Sequence, residues 1–298
     1  MYFYLLCGAP ASGKSTFAGT LVKFDHHIIS SDAIRAELYG DESIQQDHAK
    51  VFSIARERII NHLKAGHNVV FDATNMKYKD RMATMREVNK LPKVRKICTI
   101  FAEPIEVLLE RNFLRSRQVP EEVIRRMIEN FEMPTYAEGF DSIEVVNKTP
   151  IPMTSDLRRA CNFDQENSNH SLSLLDHCTT AARYIRYNTP AEKDSFLYNA
   201  ALLHDIGKLE TKTFFNTKGI ETTNAHYYRH ENVGAYRVLL YSEPWSNMER
   251  VRIAQLVCYH MVPYSVKTEE AIARWRNRIG SELYDDVLLI HEADVAAH

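Results

Sequence analysis

The most constraining feature of this sequence is a glycine-rich segment between an apolar run and a helical pattern. Residues 8–15 read GAPASGKS and match G-x-x-x-x-G-K-[ST]. The preceding run Tyr2–Cys7 predicts a buried parallel strand, and a helix is expected from about Ser15. In that setting backbone N–H groups turn inward around phosphate oxygens, and the helix start adds partial positive charge. The pattern predicts a nucleotide phosphate cradle that includes Gly8, Ser12, Gly13, Lys14, Ser15 and Thr16.

Two side chains of this segment have specific expected roles. Lys14 is expected to contact the β- and γ-phosphates during transfer, and the Ser15 hydroxyl to coordinate Mg²⁺. The implied cofactor is ATP, or another nucleoside triphosphate, with Mg²⁺. The alternative is a chance glycine turn, against which the strand before the motif and the helix after it argue.

The rest of the chain divides into two halves of different character. The first half alternates short apolar strands with helices, which predicts an α/β domain with a parallel sheet covered on both faces. Loop-like composition follows around residues 147–170, and beyond it we find helical patterns and no convincing strand. For 298 residues, two domains are expected. We predict an α/β domain at 1–148, a linker at 149–170 and an all-α domain at 171–298.

Composition excludes several classes of protein. The chain is 45% hydrophobic with a net charge of −2, so no overall charge indicates nucleic acid. Its five cysteines are scattered without a CxxC pair, as in reduced cytosolic proteins. The opening apolar run is too short for a signal peptide, and no stretch approaches the ~20 apolar residues of a membrane span. We expect a cytoplasmic protein with no membrane partner; its oligomeric state stays open.

A second motif concerns the group that accepts a phosphate. Asp32 and Arg35 follow the predicted strand His27–Ser30 at a helix start, three residues apart and therefore on one face. Both can reach the cleft at the carboxyl ends of the strands. The segment ISSDAIR (29–35) resembles the phage-type polynucleotide 5′-kinase family. The resemblance implies that Asp32 is the general base for the acceptor hydroxyl and that Arg35 binds the adjacent phosphate. Alternatively, Asp32 only caps the helix.

Two further segments resemble the same family, and the resemblance covers about the first 145 residues. DATN (72–75) places Asp72 at the end of an apolar strand beside the cradle. There Asp72 would hold a Mg²⁺-bound water or orient the cleft; the alternative is that the segment is only a structural turn. RNFLRSRQVP (111–120) resembles the lid that brings an arginine to the transferring phosphate. Arg115 is the first candidate and Arg117 the second. The alternative is that these arginines lie solvated on an exposed helix.

A local excess of basic residues lies in the first half. It is either a solvated helix face or a path for a polyanion, where phosphate contacts supply most of the affinity. The only acidic residues among them in the sequence are Asp80 and Glu87. The residues are Lys77, Lys79, Arg81, Arg86, Lys90, Lys93, Arg95 and Lys96.

The second half contains histidines and aspartates at the ends or edges of apolar helix stripes. Buried imidazole and carboxylate groups there are costly unless paired or metal-bound, and six together indicate a metal site. HDIGK (204–208) resembles the HD phosphohydrolase superfamily. That resemblance implies one metal at His177, His204, Asp205 and Asp294, with Asp205 bridging to a second at His230 and His260. Lys208 then binds the substrate phosphate, unless it is a surface lysine, and His226 is a neighbour rather than a ligand.

Such a ligand set suits one or two divalent ions, Mn²⁺, Fe, Co²⁺ or Ni²⁺, with Mg²⁺ as an alternative. The chemistry would be metal-assisted hydrolysis. Together the halves resemble nucleic-acid end-healing enzymes. This implies NTP-dependent phosphorylation of 5′-OH polynucleotide ends, RNA rather than DNA, and removal of terminal 2′ or 3′ phosphate. The alternatives are a nucleotide-pool enzyme that joins a nucleoside kinase to a nucleotidase, and a regulatory module that binds ATP without turnover.

Overall fold

A computed structural model describes residues 1–44, 46–167 and 172–298, apart from the side chains of residues 191–194. The chain divides into two compact units. The first comprises Met1–Met127 and Pro134–Lys148, and the second comprises Ile128–Met133 and Thr149–His298. The predicted boundary between linker and second domain, at residues 170 and 171, lies outside the described residues.

The first unit is built on a five-stranded parallel sheet with strand order β2-β3-β1-β4-β5. The strands are β1 (Tyr2–Gly8), β2 (His26–Ser30), β3 (Asn68–Asp72), β4 (Arg95–Phe101) and β5 (Ser142–Val146). The helices are α1 (Lys14–Leu21), α2 (Ser31–Tyr39), α3 (His48–Lys64), α4 (Tyr78–Val88), α5 (Ile105–Phe113) and α6 (Glu121–Glu129), of which the last two residues belong to the second unit. The α/β fold class is confirmed.

Strand register brings the chemically important segments to one edge of this sheet. Asp72 pairs with Leu6 on one side and with Ser30 on the other. The loop after β1 and the helix after β2 therefore both start beside the end of β3. This is the carboxyl edge, where ligands bind in open parallel sheets.

The sequence pattern does not predict strand β5. Its sequence, SIEVV, has a single buried residue, Ile143, and lies at the edge of the sheet, so it lacks the continuous apolar run that identifies the central strands. Helix α5 ends at Phe113. The residues after it form the lid segment described below.

The second unit is mostly helical, as predicted. Its helices are α7 (Met153–Cys161), α8 (Leu174–Asn188), α9 (Ala191–Leu203), α10 (Lys208–Thr211), α11 (His230–Leu240), α12 (Asn247–Tyr259), α13 (Val262–Ser265), α14 (Glu269–Ile279) and α15 (Ser281–Ala296). The expectation of no strands was wrong. An antiparallel hairpin joins β6 (Lys212–Phe215) to β7 (Glu221–Tyr227). Its aromatic and β-branched residues flank a turn at Asn216–Gly219, which is a usual hairpin signal.

Part of the predicted linker is an ordered helix. Within residues 149–170, α7 carries the buried Asp156. Its carboxylate accepts hydrogen bonds from Arg237 Nε at 2.6 Å and from the Tyr241 hydroxyl at 2.8 Å. These partners belong to the same unit, so α7 is fixed to α11 rather than acting as a free connector.

Among the described residues, every helix is too short or too polar to span a lipid bilayer. All five cysteines carry free thiols, and only Cys161 is exposed.

Candidate active sites

The first candidate site is a cavity of about 810 Å³ at the carboxyl edge of the parallel sheet. That volume is near the upper end for ligand pockets, roughly 300–1,000 Å³. It brings together nearly all the residues predicted for the first half of the chain. They are Ser12, Gly13, Lys14, Ser15, Thr16, Asp32, Arg35, Asp72, Arg115 and Arg117.

Lys14 is buried at the base of this cavity. Its ammonium donates to the carbonyl of Ala9 at 2.7 Å and to Ser12 Oγ at 3.4 Å, so it is held in place by the loop itself. Burial lowers the pKa of Lys14 to about 8, although the nearby Asp72 carboxylate raises it in part. A cation held in this way costs little further ordering when a triphosphate binds.

This pKa predicts a pH-dependent affinity for ATP. The charged form of Lys14 is the form that attracts phosphate, and it is lost as pH rises through about 8. Between pH 7.5 and 9 we expect the Kd for Mg-ATP to rise about eightfold, in proportion to the loss of charged lysine. Calorimetric titration at each pH measures this. Lys14→Met should bind weakly with a flat profile; a flat wild-type profile would contradict the assignment.

Gly8, at the start of the phosphate loop, is hydrogen-bonded to the turn that follows β3. The Gly8 N–H donates to the carbonyl of Thr74 at 2.9 Å, so this amide is engaged within the fold and is not directed at phosphates. Asn75 Nδ2 donates to the carbonyl of Leu6 at 2.8 Å. The DATN turn thus has two parts: its asparagine supports β1, and Asp72 lines the cavity.

Asp32 and Arg35 form a direct ion pair in the cavity wall. Arg35 Nη1 lies 2.9 Å from Asp32 Oδ1, and its Nη2 lies 3.3 Å from His48 Nδ1. Arg35 is buried, whereas the Asp32 side chain is 43% exposed. The helix cap is Ser30, whose hydroxyl accepts from the N–H of Ala33, so Asp32 is not needed as a cap.

The lid segment, residues 114–120, is a fixed loop. The buried Asn112 closes it, donating to the Val119 carbonyl at 2.8 Å and accepting from the Val119 N–H at 3.0 Å. Arg117 Nη1 lies 3.5 Å from Asp32 and 3.7 Å from Glu42. Arg115 also lines the cavity. Arg115 and Arg117 therefore both line the cavity that also contains the phosphate loop and Asp32.

The basic segment is only partly a surface. Arg81 is fully buried and forms a two-pronged ion pair with Glu138, at 2.7 Å through Nε and 2.8 Å through Nη2. It therefore cannot contact a polyanion. Lys96 is half-buried, and Lys90 pairs with Glu87 at 2.7 Å. The exposed members are Lys77, Lys79, Arg86, Lys90, Lys93 and Arg95.

The second candidate site is a cluster of buried imidazoles and carboxylates within the helical unit. All six predicted ligands contribute to it, and each is buried. Two groups of potential metal ligands share one residue, Asp205: one with His177 and His204, the other with His230 and His260. These five residues, together with Asp294, are the six that the sequence analysis proposes as ligands.

Asp205 lies between the two groups. Its Oδ2 is 3.5 Å from His177 Nε2 and 3.4 Å from His204 Nε2. Its Oδ1 is 3.1 Å from His230 Nε2 and 3.7 Å from His260 Nε2. One carboxylate therefore presents one oxygen to each histidine pair, which is the arrangement of a bridging ligand.

Three of the histidines are fixed in the same way. The ring Nδ1 of each bonds to the backbone carbonyl three residues earlier, so Nδ1 must be the donor and the neutral ring's Nε2 is left with a lone pair. The pairs are His204 with Ala201 at 2.7 Å, His230 with Tyr227 at 2.8 Å and His260 with Val257 at 2.8 Å. These Nε2 atoms face the centre, so the donor set fits divalent metal ions.

Asp294 completes the first group from α15. Its Oδ1 lies 3.1 Å from His177 Nε2 and 3.4 Å from His204 Nε2. Its Oδ2 accepts from the Tyr264 hydroxyl at 2.8 Å, which orients the carboxylate. His298 Nε2 lies 3.6 Å from Asp294 Oδ1, at the margin of the cluster.

The electrostatics of the cluster favour a cation. Burial raises the pKa of Asp205, but Lys208 and His204 outweigh it and hold that pKa well below its usual range. Burial lowers the pKa of His204, but Asp205 outweighs it and raises that pKa well above its usual range. The carboxylate therefore stays charged, and the neighbouring imidazole is driven toward its charged form. A metal ion supplies the same positive charge.

Lys208 is not a surface lysine. It is buried, with its ammonium 2.7 Å from Asp205 Oδ2 and 2.9 Å from Gln165 Oε1. Close packing fixes this turn, since a Cβ on Gly207 would meet the carbonyl oxygen of His230 at 2.0 Å. His226 lies on β7 with its Nε2 3.0 Å from the Thr222 hydroxyl, and it belongs to none of the groups of potential metal ligands among the described residues.

Several positioning residues have no signal in the sequence. Tyr264 is 30 residues from Asp294, and Gln165 is 43 residues from Lys208 in a segment with loop composition. No motif marks His48, and Asn112 lies in the lid-like segment 111–120 without a sequence signal for its own role. Their roles depend on contacts that only the folded chain creates.

Comparison with known proteins assigns a domain family to each half of the chain. A model of the AAA domain family AAA_33 matches residues 4–134, and a model of the HD domain matches residues 167–297. The chain is an AAA-type P-loop kinase domain followed by an HD domain. Each of these two domains contains one of the clusters described above, the phosphate cavity in the first and the imidazole–carboxylate centre in the second.

Individual relatives are more distant. L-seryl-tRNA(Sec) kinase of Methanococcus maripaludis is 25% identical over 152 residues, which are 49% of this chain and 58% of that protein. The chain thus spans somewhat over half the length of this curated relative. Among solved structures, the Pnkp1/Rnl/Hen1 RNA repair complex is similar with a TM-score of 0.39 and 22% identity over 42% of each chain. A gluconokinase from Sinorhizobium meliloti has a TM-score of 0.36 and 17% identity, covering 51% of this chain and 85% of that one.

Proposed function

We propose that this chain repairs broken RNA ends: its kinase domain phosphorylates a 5′-OH end with an NTP, and its HD domain removes a terminal 2′ or 3′ phosphate. The observation that carries the proposal is the pairing, in one cavity, of a triphosphate cradle with an acceptor-side carboxylate and four arginines. A polynucleotide end offers both a hydroxyl for Asp32 and a phosphate for an arginine. The curated relative acts, by its name, on a tRNA that carries serine.

In the kinase step, Asp32 accepts the proton of the attacking hydroxyl while that oxygen forms its bond to the γ-phosphorus. The bond from the γ-phosphorus to the bridging oxygen of the nucleoside diphosphate breaks. Lys14 and the lid arginines Arg115 and Arg117 balance the charge spread over the transferred group. Mg²⁺, held through Ser15, neutralises phosphate charge when bound. Asp72 lines the cavity near Lys14 and interacts electrostatically with its ammonium.

In the hydrolytic step, the oxygen of water bonds to the terminal phosphorus, the bond from phosphorus to the ribose oxygen breaks, and a proton from the water passes to that ribose oxygen, which leaves as a hydroxyl and releases inorganic phosphate. Divalent metals supply Lewis acidity and a lower pKa for water when bound. His177, His204 and Asp294 would hold one ion, His230 and His260 the other, and Asp205 both. Lys208 holds Asp205 in place, and its ammonium is positioned to bind a phosphoryl oxygen that enters the centre.

A second candidate has a specific observation in its favour. Arg35 is buried and already bonded to Asp32 and His48, so it is less free to bind a polynucleotide phosphate than the sequence suggests. That fits a nucleotide-pool enzyme with a nucleoside acceptor and an HD nucleotidase.

Kinetic competition between acceptors distinguishes the two. With ATP and Mg²⁺, we expect kcat/KM for a 5′-OH oligoribonucleotide to exceed that for adenosine or cytidine by roughly 10- to 150-fold, since one well-placed phosphate contact contributes roughly 1.5–3 kcal/mol. A 3′-phosphorylated mononucleoside, which carries the adjacent phosphate but no further nucleotides, distinguishes the effect of that phosphate from the effect of chain length. Equal or faster transfer to nucleosides would overturn the repair proposal in favour of the nucleotide-pool enzyme.

A further inference from the structure

Three histidines form a compact group in the kinase domain that neither proposed reaction uses. They are His27 on β2, His62 in the last turn of α3 and His67 just before β3. The ring centroids lie 4.3 Å apart for His27 and His62, 4.5 Å for His27 and His67, and 5.5 Å for His62 and His67. All three side chains are half-buried, so they are shielded but reachable by an ion.

The backbone fixes two of these histidines relative to each other. The N–H of His67 donates to the carbonyl of His62 at 3.0 Å, and the N–H of Gly66 donates to that of Leu63 at 3.1 Å. With Gly66 at φ +91°, this is a Schellman motif, which brings together the side chains that flank its closing bond. Apolar residues usually form that contact. Here both positions are histidine.

The third histidine comes from the neighbouring strand. β2 and β3 pair in parallel with His27 opposite Val69, so His27 and His67 lie on the same side of the sheet two positions apart. The preceding residue, His26, points to the other face and packs edge-on against Tyr4, with ring centroids 5.5 Å apart. Because side chains alternate between the two faces along β2, His27 belongs to the three-histidine group and His26 does not.

The nitrogen geometry suits a metal ion. His62 Nδ1 and His67 Nδ1 lie 3.3 Å apart. Two imidazole nitrogens bound to one tetrahedral ion at 2.0–2.1 Å are themselves about 3.3 Å apart. One nitrogen from each of the three rings lies within 4.8 Å of the others, a spread that side-chain rotation of His27 can close.

We propose that His27, His62 and His67 bind a divalent ion of the zinc and nickel class. Three imidazoles without a carboxylate or thiolate suit those borderline ions better than Mg²⁺ or Ca²⁺. The site lies at the amino ends of β2 and β3, whereas the phosphate cavity lies at their carboxyl ends. An ion there would tie the edge strand β2 to the end of α3 and the start of β3, so its role would be structural.

The test is the number of Zn²⁺ ions that the full chain retains after equilibrium dialysis, with His26→Gln as the matched control. We expect His62→Gln and His27→Gln each to retain one ion fewer than wild type, and His26→Gln the wild-type number. Asp205→Asn should keep this ion, because the HD centre is separate. In ¹⁵N spectra of the histidine rings, one set of three should shift together as the ion binds.

Equal retention by His62→Gln and wild type would overturn the proposal, as would loss of the same ion in His26→Gln. A misfolded variant is recognised by its melting temperature in EDTA, where no ion contributes. There His62→Gln should match wild type, and adding Zn²⁺ should raise the melting temperature of wild type more than that of the variant. If the variant melts lower even in EDTA, the shift of the three ring signals in wild type still decides: its absence sinks the site.

Discussion

Replacing Asp205 by asparagine is expected to abolish phosphate release by the HD domain while leaving the kinase unchanged. Asp205 offers one oxygen to His177 and His204 and the other to His230 and His260, so the substitution weakens both halves of the centre. Metal ions contribute several kcal/mol to phosphoryl hydrolysis, and loss of ~4 kcal/mol is a roughly 10³-fold loss of rate. Among the six ligands, only Asp205 belongs to both groups.

Metal analysis and rate are measured together in this experiment. Metal content after loading with Mn²⁺, Co²⁺ or Ni²⁺ should fall in parallel with release of phosphate from a 3′-phosphorylated oligoribonucleotide. Asp285→Asn is the matched control, since Asp285 is an exposed aspartate of the same unit that pairs with Arg276. Full hydrolysis by Asp205→Asn, at undiminished metal content, would show that the cluster is not the hydrolytic centre.

Replacing Asp32 by asparagine is expected to slow phosphate transfer by about 10²–10⁴-fold, the usual contribution of a general base. Affinity for ATP should change little, because the cradle and Lys14 are untouched. The structure supports a chemical role, since Ser30 caps the helix and Asp32 is left exposed to the cavity. The expected signature is normal binding of ATP without transfer of its phosphate.

Glu42→Gln is the control for this second change. Glu42 is also an acidic partner of Arg117, at 3.7 Å, and is comparably exposed, so its loss perturbs the same arginine without removing the proposed base. We expect Glu42→Gln to keep most transfer activity. If Asp32→Asn transferred phosphate at the wild-type rate, another group would have to accept the proton.

Residues that act through local backbone could be predicted from the sequence. The cradle depends on a loop between one strand and one helix, so its residues and their order suffice. The metal cluster was also predictable, although its members are far apart, because a carboxylate or imidazole buried at the end of an apolar helix is costly unless it is paired or metal-bound. His204 and Asp205 end one such helix, and Asp294 lies on the inner face of another.

Residues that act through distant contacts could not be predicted. Arg81 is indistinguishable in sequence from its exposed neighbours, and only its pairing with Glu138 removes it from the basic segment. Lys208 presents the same problem, because its burial follows from Asp205 and Gln165 together. The hairpin at β6 and β7 differs: its turn and its β-branched residues were visible, and a helical expectation for the whole domain concealed them.

Two separate centres are proposed to act on the two ends of one RNA, and a single substrate can report on both. The direct measurement offers wild type, Asp32→Asn and Asp205→Asn an oligoribonucleotide with a 5′-OH and a 3′-phosphate, together with labelled ATP, Mg²⁺ and Mn²⁺. Wild type should convert both ends, Asp32→Asn only the 3′ end, and Asp205→Asn only the 5′ end. Loss of both reactions in either properly folded variant, or wild type that converts neither end, would contradict the proposal.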